Sequence, residues 1–254
     1  MPLSDTLGAL IPPMAFRDWF KIINMSPDTS QFELWSHFQT ERLDAFEASK
    51  SRLDYLLRLA EKKSKGRSLL NIGCGSGYLE QAAKQKNWKV LSVDPDAQSV
   101  DRLKAMEIDA RRGIIESLPV ASGSIHVVVS TEVFEHLNPD SMEAGLKEIQ
   151  RVLLPGGILI GTVPYRENLS ENEVFCPQCK MTFHRWGHHQ SFDESRMRSA
   201  LENYFSACKV SPAFFAPWKI LDWKGKLSVS ARLAFALFGI HGSTSNLLFI
   251  ASKQ

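Results

Sequence analysis

Gly73, Gly75 and Gly77 crowd the bend in "LLNIGCGSGYLE", after a short apolar run and before what reads as a helix. Glycine tolerates positive φ and carries no Cβ, so main-chain amides there can approach a ligand closely. Further on, "VLSVD" ends in Asp94, and a carboxylate on the next strand can take both hydroxyls of a ribose. The dinucleotide fingerprint needs its third glycine where this chain has Tyr78, which argues against nicotinamide chemistry. A second grouping, "TEVFEHL", sets Glu132, Glu135 and His136 at i, i+3 and i+4, one face of a helix. Such a set can ligate a divalent metal, or one member can act as a base. The alternative is a polar helix start whose acids the helix dipole favours.

A third grouping is "CPQCKMTFHRWGHH". Its Cys-Pro-x-Cys knuckle can direct amides at thiolate sulfurs, and two thiolates with two imidazoles make a tetrahedral zinc set. The expected set is Cys176, Cys179, His184 and His189, a compact structural clip that leaves His188 to face a substrate. The alternative is a reduced turn with its histidines committed to the active site. A redox role is disfavoured, because the cysteines do not begin a helix after a strand.

These residues need a scaffold. "SLLNIG", "KVLSVD", "IHVVVST", "GILIGTV" and "NLLFIAS" read as strands, the first two as buried parallel ones. Helical spacing marks "YLEQAAKQK", "AQSVDRLKAM", "DSMEAGLKEIQRVL" and "DESRMRSALENYF". The alternation predicts an open, mostly parallel α/β sheet, with ligands beyond the carboxyl ends of its strands. Residues 1–60 read as an irregular arm followed by two helices, and 61–254 as the sheet domain. Within that domain, 165–192 is a Cys/His insertion and 212–242 an aromatic cover on the same end, either an apolar acceptor pocket or simple packing on the sheet.

At 254 residues the chain suits one large domain, and 44% hydrophobic with 23% charged residues is ordinary for a globular protein. A net charge of +2 gives no reason to expect a nucleic-acid partner or a polybasic membrane surface. No signal peptide or membrane-spanning run is read, so the four cysteines are expected to be reduced thiols or metal ligands in a cytoplasmic protein.

From about Leu53 to Phe205, and again in the last strand, the chain resembles the seven-stranded S-adenosylmethionine-dependent methyltransferases. "LLNIGCGSG", "SVDPD", "ESLPVASGSIHVVVSTEVFEHL" and "RVLLPGGILIGTVP" match their successive motifs. The resemblance implies a Rossmann-like, doubly wound sheet with an antiparallel last strand. It implies S-adenosylmethionine contacts at Asn71, Gly73, Cys74, Gly75, Gly77, Asp94, Pro95 and Thr131. Asn71 replaces the usual acid at the foot of the loop. Ile114 replaces an aspartate that often holds the adenine amino group, leaving that task to the main chain around Ile115 and Glu116. E-x-x-E-H resembles the ubiquinone-biosynthesis O-methyltransferases and the small-RNA 2′-O-methyltransferases. There it contributes to a magnesium or manganese site, with a histidine that His188 matches.

The expected function is methyl transfer to an acceptor oxygen on a small or lipid-linked molecule. His136 or His188 would serve as base, or a metal on Glu132, Glu135 and His136 would lower the acceptor's pKa. The alternative is a catalytically inactive binding module.

Overall fold

A computed structural model describes residues 43–216, 221–237 and 246–254. The predicted arm, the first part of the leading helices, and residues 217–220 and 238–242 of the predicted cover lie outside them. A 3-10 turn, Leu43–Ser49, runs into helix α1 (Lys50–Lys63). Then follow β1 (Ser68–Ile72), α2 (Tyr78–Gln85), β2 (Lys89–Asp94), α3 (Ala97–Ala105) and β3 (Asp109–Arg112). Next come β4 (Ile125–Thr131), α4 (Pro139–Val152) and β5 (Leu153–Pro164). The remainder is a hairpin of β6 (Glu173–Phe175) and β7 (Thr182–His184), then α5 (Glu194–Glu202), β8 (Ala207–Ala213), α6 (Trp223–Leu237) and β9 (Asn246–Ser252).

The seven-stranded sheet has the order β3-β2-β1-β4-β5-β9-β8. β1 to β5 are mutually parallel, and β9 runs antiparallel to both β5 and β8. This is the expected doubly wound architecture with its last strand reversed. Because successive side chains alternate across a strand, the apolar runs feed two cores. Leu70, Val128, Leu159 and Phe249 pack with Leu146 and Ile149 of α4 and Leu201 of α5. Leu69, Val127, Ile158 and Leu248 pack with Leu56 and Leu57 of α1 and Leu79 of α2. Each fully buried leucine contributes about 2 kcal/mol, and burial on both faces explains why these strands read as continuous apolar runs.

Short polar side chains cap three of the helices, α3, α4 and α5. Asp96 accepts from Ser99 N at 2.7 Å ahead of α3, Asn138 from Ser141 N at 2.8 Å ahead of α4, and Asp193 from Arg196 N at 2.8 Å ahead of α5. Each cap satisfies a first-turn amide and is worth about 1 kcal/mol. Among the described residues, no helix is long and apolar enough to cross a membrane.

Candidate functional site

The glycine loop joins β1 to α2 at the carboxyl end of the sheet. Gly73, Gly75 and Gly77 take φ of +85°, +51° and +80°, conformations that side chains rarely adopt. Beside the loop is a cavity of about 280 Å³. Of the predicted cofactor residues, Asn71, Gly73, Cys74, Gly75, Asp94, Pro95 and Thr131 line it, joined by Glu132 and His136. Gly77 stands just behind, at the start of α2. Ile115 and Glu116 do not line this cavity: the Ile115 side chain enters the core, and Glu116 lines a neighbouring cavity of about 400 Å³. His136 and Leu137 line both.

Asp94 Oδ2 accepts from Cys74 N at 2.7 Å and Oδ1 from Asp96 N at 2.8 Å. Burial pushes its pKa up, while these two amides oppose the rise. Each oxygen keeps a second lone pair for a ligand hydroxyl. Burial and the Asp94 charge push the Cys74 thiol far up, so Cys74 is an inert wall of the loop. Asn71 Nδ2 donates to Glu80 Oε1 at 2.7 Å and to Gly73 O at 3.0 Å.

"TEVFEHL" departs from expectation. Only Phe134–His136 is helical, as a single 3-10 turn, and Glu132 before it has φ +53°. The three side chains therefore do not share a face. Glu132 Oε1 accepts from Thr162 Oγ1 at 2.8 Å and Asn246 Nδ2 at 3.1 Å, with an Arg52 guanidinium nitrogen 3.7 Å away. Glu135 is fully buried, and among the described residues neither carboxylate oxygen has a hydrogen-bond partner. Burial, then the Glu132 charge, drives its pKa well up.

His136 Nδ1 lies 3.0 Å from Gly187 O. A carbonyl only accepts, so Nδ1 carries the proton. Nε2 then faces Glu135 Oε1 at 3.8 Å. Burial and the neighbouring His188 lower the His136 pKa well below the usual range.

Residues of the 165–192 segment pack against His136. His188 stands edge-on to His136, with ring centroids 4.6 Å apart, and His184 stacks on His188 at 4.7 Å. His188 Nδ1 bonds the Glu167 carboxylate, and His184 Nε2 is 3.5 Å from its other oxygen. Among the described residues, two sets of ligand atoms fall within 4.8 Å of one another: Glu135–His136–His188 and Glu167–His184–His188.

The predicted zinc set is not gathered this way. His184 is turned to Glu167, and its Nδ1 accepts from His188 N at 3.1 Å, which occupies that ring nitrogen. His189 donates its main-chain N–H to Glu135 O at 2.7 Å, and its side chain lines the 400 Å³ cavity. Cys176 and Cys179 sit between β6 and β7, where Cys176 N donates to Met181 O at 2.9 Å. The amide and thiol of Cys179 lower the Cys176 pKa, the expected knuckle geometry.

Residues 37–204 match the family described as "Methyltransferase domain". The chain belongs to that family. The chain is 34% identical over 115 residues to a probable S-adenosylmethionine-dependent methyltransferase of Mycolicibacterium smegmatis, covering 44% of each chain. It is 33% identical over 115 residues to a ubiquinone biosynthesis O-methyltransferase of Xanthomonas campestris, covering 42% of this chain and 46% of that one. The chain thus spans less than half the length of these curated relatives. In fold it resembles a Thermotoga maritima S-adenosylmethionine-dependent methyltransferase, described as a possible histamine N-methyltransferase. That match has a TM-score of 0.60 at 18% identity and covers 88% of this chain and 100% of that one.

S-adenosylmethionine, the family's cofactor, suits the cavity chemically: a glycine bend without side chains for close approach, and a preorganised carboxylate for the sugar. Sequence reasoning missed Glu80, Arg52, Glu167 and Asn246. Glu80 reads as one polar position of an amphipathic helix, and the other three meet their partners only through tertiary contacts.

Proposed function

We propose that this chain transfers the methyl group of S-adenosylmethionine to an oxygen of a small acceptor, at the His136 wall of the glycine-loop cavity. The observation that carries the acceptor side is Glu135. A fully buried carboxylate with neither oxygen bonded is costly unless a cation or a reacting group completes it. Glu135, His136 and His188 would hold a divalent cation, which supplies Lewis acidity that lowers the pKa of an acceptor hydroxyl. The outward Nδ1 atoms support this set, one on the Gly187 carbonyl and the other on Glu167, as ligating histidines usually have them. Glu132 stays with Thr162 and Asn246 and shapes the wall.

Methyl transfer is an in-line displacement, so much of the rate comes from holding donor and acceptor in register. The glycine loop and Asp94 hold the donor, and the insertion presents His188 opposite His136. The likeness to a ubiquinone biosynthesis O-methyltransferase supports oxygen as the acceptor atom. A structural zinc ion on Cys176 and Cys179 is a separate reading, supported by the amide directed at the Cys176 sulfur; it needs ligands other than the histidines first expected.

The test is transfer of a labelled methyl group to a panel of phenols, catechols and amines, before and after chelation. The reading predicts product that chelator removes and magnesium or manganese restores. Full activity in the chelated protein would contradict the metal, and methylation confined to amines would contradict oxygen transfer.

A further inference from the structure

Glu80 stands one position past the first apolar residue of α2, yet it is wholly buried. Two donors converge on its Oε1, Asn71 Nδ2 from β1 and Ser92 Oγ from β2, each at 2.7 Å. Among the described residues its Oε2 meets no donor. Asn71 spends its two Nδ2 protons on Glu80 and Gly73 O. Only its carbonyl oxygen is left to offer a ligand in the cavity that Asn71 lines.

The cofactor's charges make that matter. With the sugar at Asp94 on the end of β2, the rest of the molecule extends over the adjoining end of β1, where Asn71 and Gly73 lie. The amino-acid portion carries an ammonium group, and the cavity wall at position 71 has no charge to meet it.

We propose that Glu80 is a positioning residue for the cationic end of S-adenosylmethionine: it orients the Asn71 amide so that Oδ1 accepts from the ammonium, and it supplies from behind the negative charge that position 71 lacks. A carboxylate buried with one oxygen unbonded is costly, and an ammonium docking beyond Asn71 offsets part of that cost. Burial pushes the Glu80 pKa up, with the Asn71 and Ser92 hydrogen bonds opposing the rise. This inference rests on the cofactor half of the proposed function and is independent of the acceptor and of any metal.

The test is calorimetry on the full chain with two probes. S-adenosylhomocysteine carries the amino-acid end; 5′-deoxy-5′-methylthioadenosine keeps the nucleoside and thioether but lacks it. Glu80→Gln keeps the side chain's shape while removing the charge. It should bind S-adenosylhomocysteine about tenfold more weakly, the worth of one charge-assisted contact, and methylthioadenosine within about twofold of the parent. The double variant Asn71→Asp/Glu80→Gln, which moves the acid to the foot of the loop, should regain the parent's preference for S-adenosylhomocysteine. It carries the test alone if Glu80→Gln does not fold. Unchanged S-adenosylhomocysteine binding in Glu80→Gln, parallel loss of both probes, or a double variant without the preference would overturn the proposal. A parent chain that binds neither probe would contradict the cofactor assignment itself, a different result.

Discussion

The carboxylate of Asp94, at the end of β2, accepts a 2.7 Å hydrogen bond from the main-chain N–H of Cys74 in the glycine loop. A second bond, from Asp96 N at 2.8 Å, fixes the other oxygen. Two adjoining strand ends are thus tied through one buried carboxylate, the side chain we propose meets the sugar. Asp94→Asn places an amide N–H₂ against one of these two buried N–H groups. It should cost about 1–3 kcal/mol of stability, read by urea denaturation.

Glu135 should trade stability for activity. Replacing a buried carboxylate that has no hydrogen-bond partner by an apolar side chain of similar volume removes a desolvation cost. Glu135→Met should therefore leave the melting temperature unchanged or raise it by a few degrees, while methyl transfer falls by about a hundredfold or more. Calorimetric melting and a labelled-methyl assay on one preparation check both halves.

Glu167 holds His188 through Nδ1 and faces His184 on its other oxygen. Glu167→Ala frees the His188 ring, and loss of such an orienting partner costs about 10–100-fold in activity or metal affinity. The loss should fall on kcat and on the metal titration, with S-adenosylhomocysteine affinity unchanged. Glu167→Gln, which still accepts from Nδ1, should recover part of it.

Glu148 of α4 pairs with Arg151 at 2.7 Å through both oxygens and also accepts from Leu118 N at 2.8 Å. The Arg151 hydrogen bond holds its pKa below the usual carboxylate range. A depressed folded-state pKa contributes stability that is present above the unfolded value, near 4.3, and is lost as pH falls through the folded value. Glu148→Gln should destabilise by about 1 kcal/mol at neutral pH, and the difference should shrink steadily below about pH 4. Denaturation midpoints of both proteins across that range give the sign.

The thiols should label in a fixed order. Cys176 is the one whose pKa is lowered, while burial raises Cys208 and raises Cys74 much further. The thiolate is the nucleophile, so iodoacetamide should modify Cys176 first and Cys74 last, read by peptide mass spectrometry. Added zinc should protect Cys176 and Cys179 together if that pair binds it.

The sheet was legible where both faces are buried: β1, β2, β4, β5 and β9 carry apolar runs because their apolar side chains enter one core or the other. β3 was not, since only Ala110 of Asp109–Arg112 is buried and an edge strand needs no more. The glycine loop and Asp94 were legible because backbone conformation and charge restrict residue type there. The spacing of "TEVFEHL" suited a helix equally well, but a left-handed Glu132 and a three-residue turn send its acids in different directions. Likewise the histidines of the insertion announced ligand chemistry without direction. Their partner, Glu167, lies 21 residues before His188, a pairing that only the folded insertion creates.

The proposed function rests on one set of contacts, in which the glycine loop and Asp94 grip the same nucleoside. Titration of S-adenosylhomocysteine into the parent chain and Asp94→Ala, followed by calorimetry, tests it most directly. Saturable one-to-one binding by the parent should weaken by about a hundredfold in the variant, as expected for losing two sugar hydrogen bonds to a charged group. Equal binding by both proteins, or none by the parent, would contradict it.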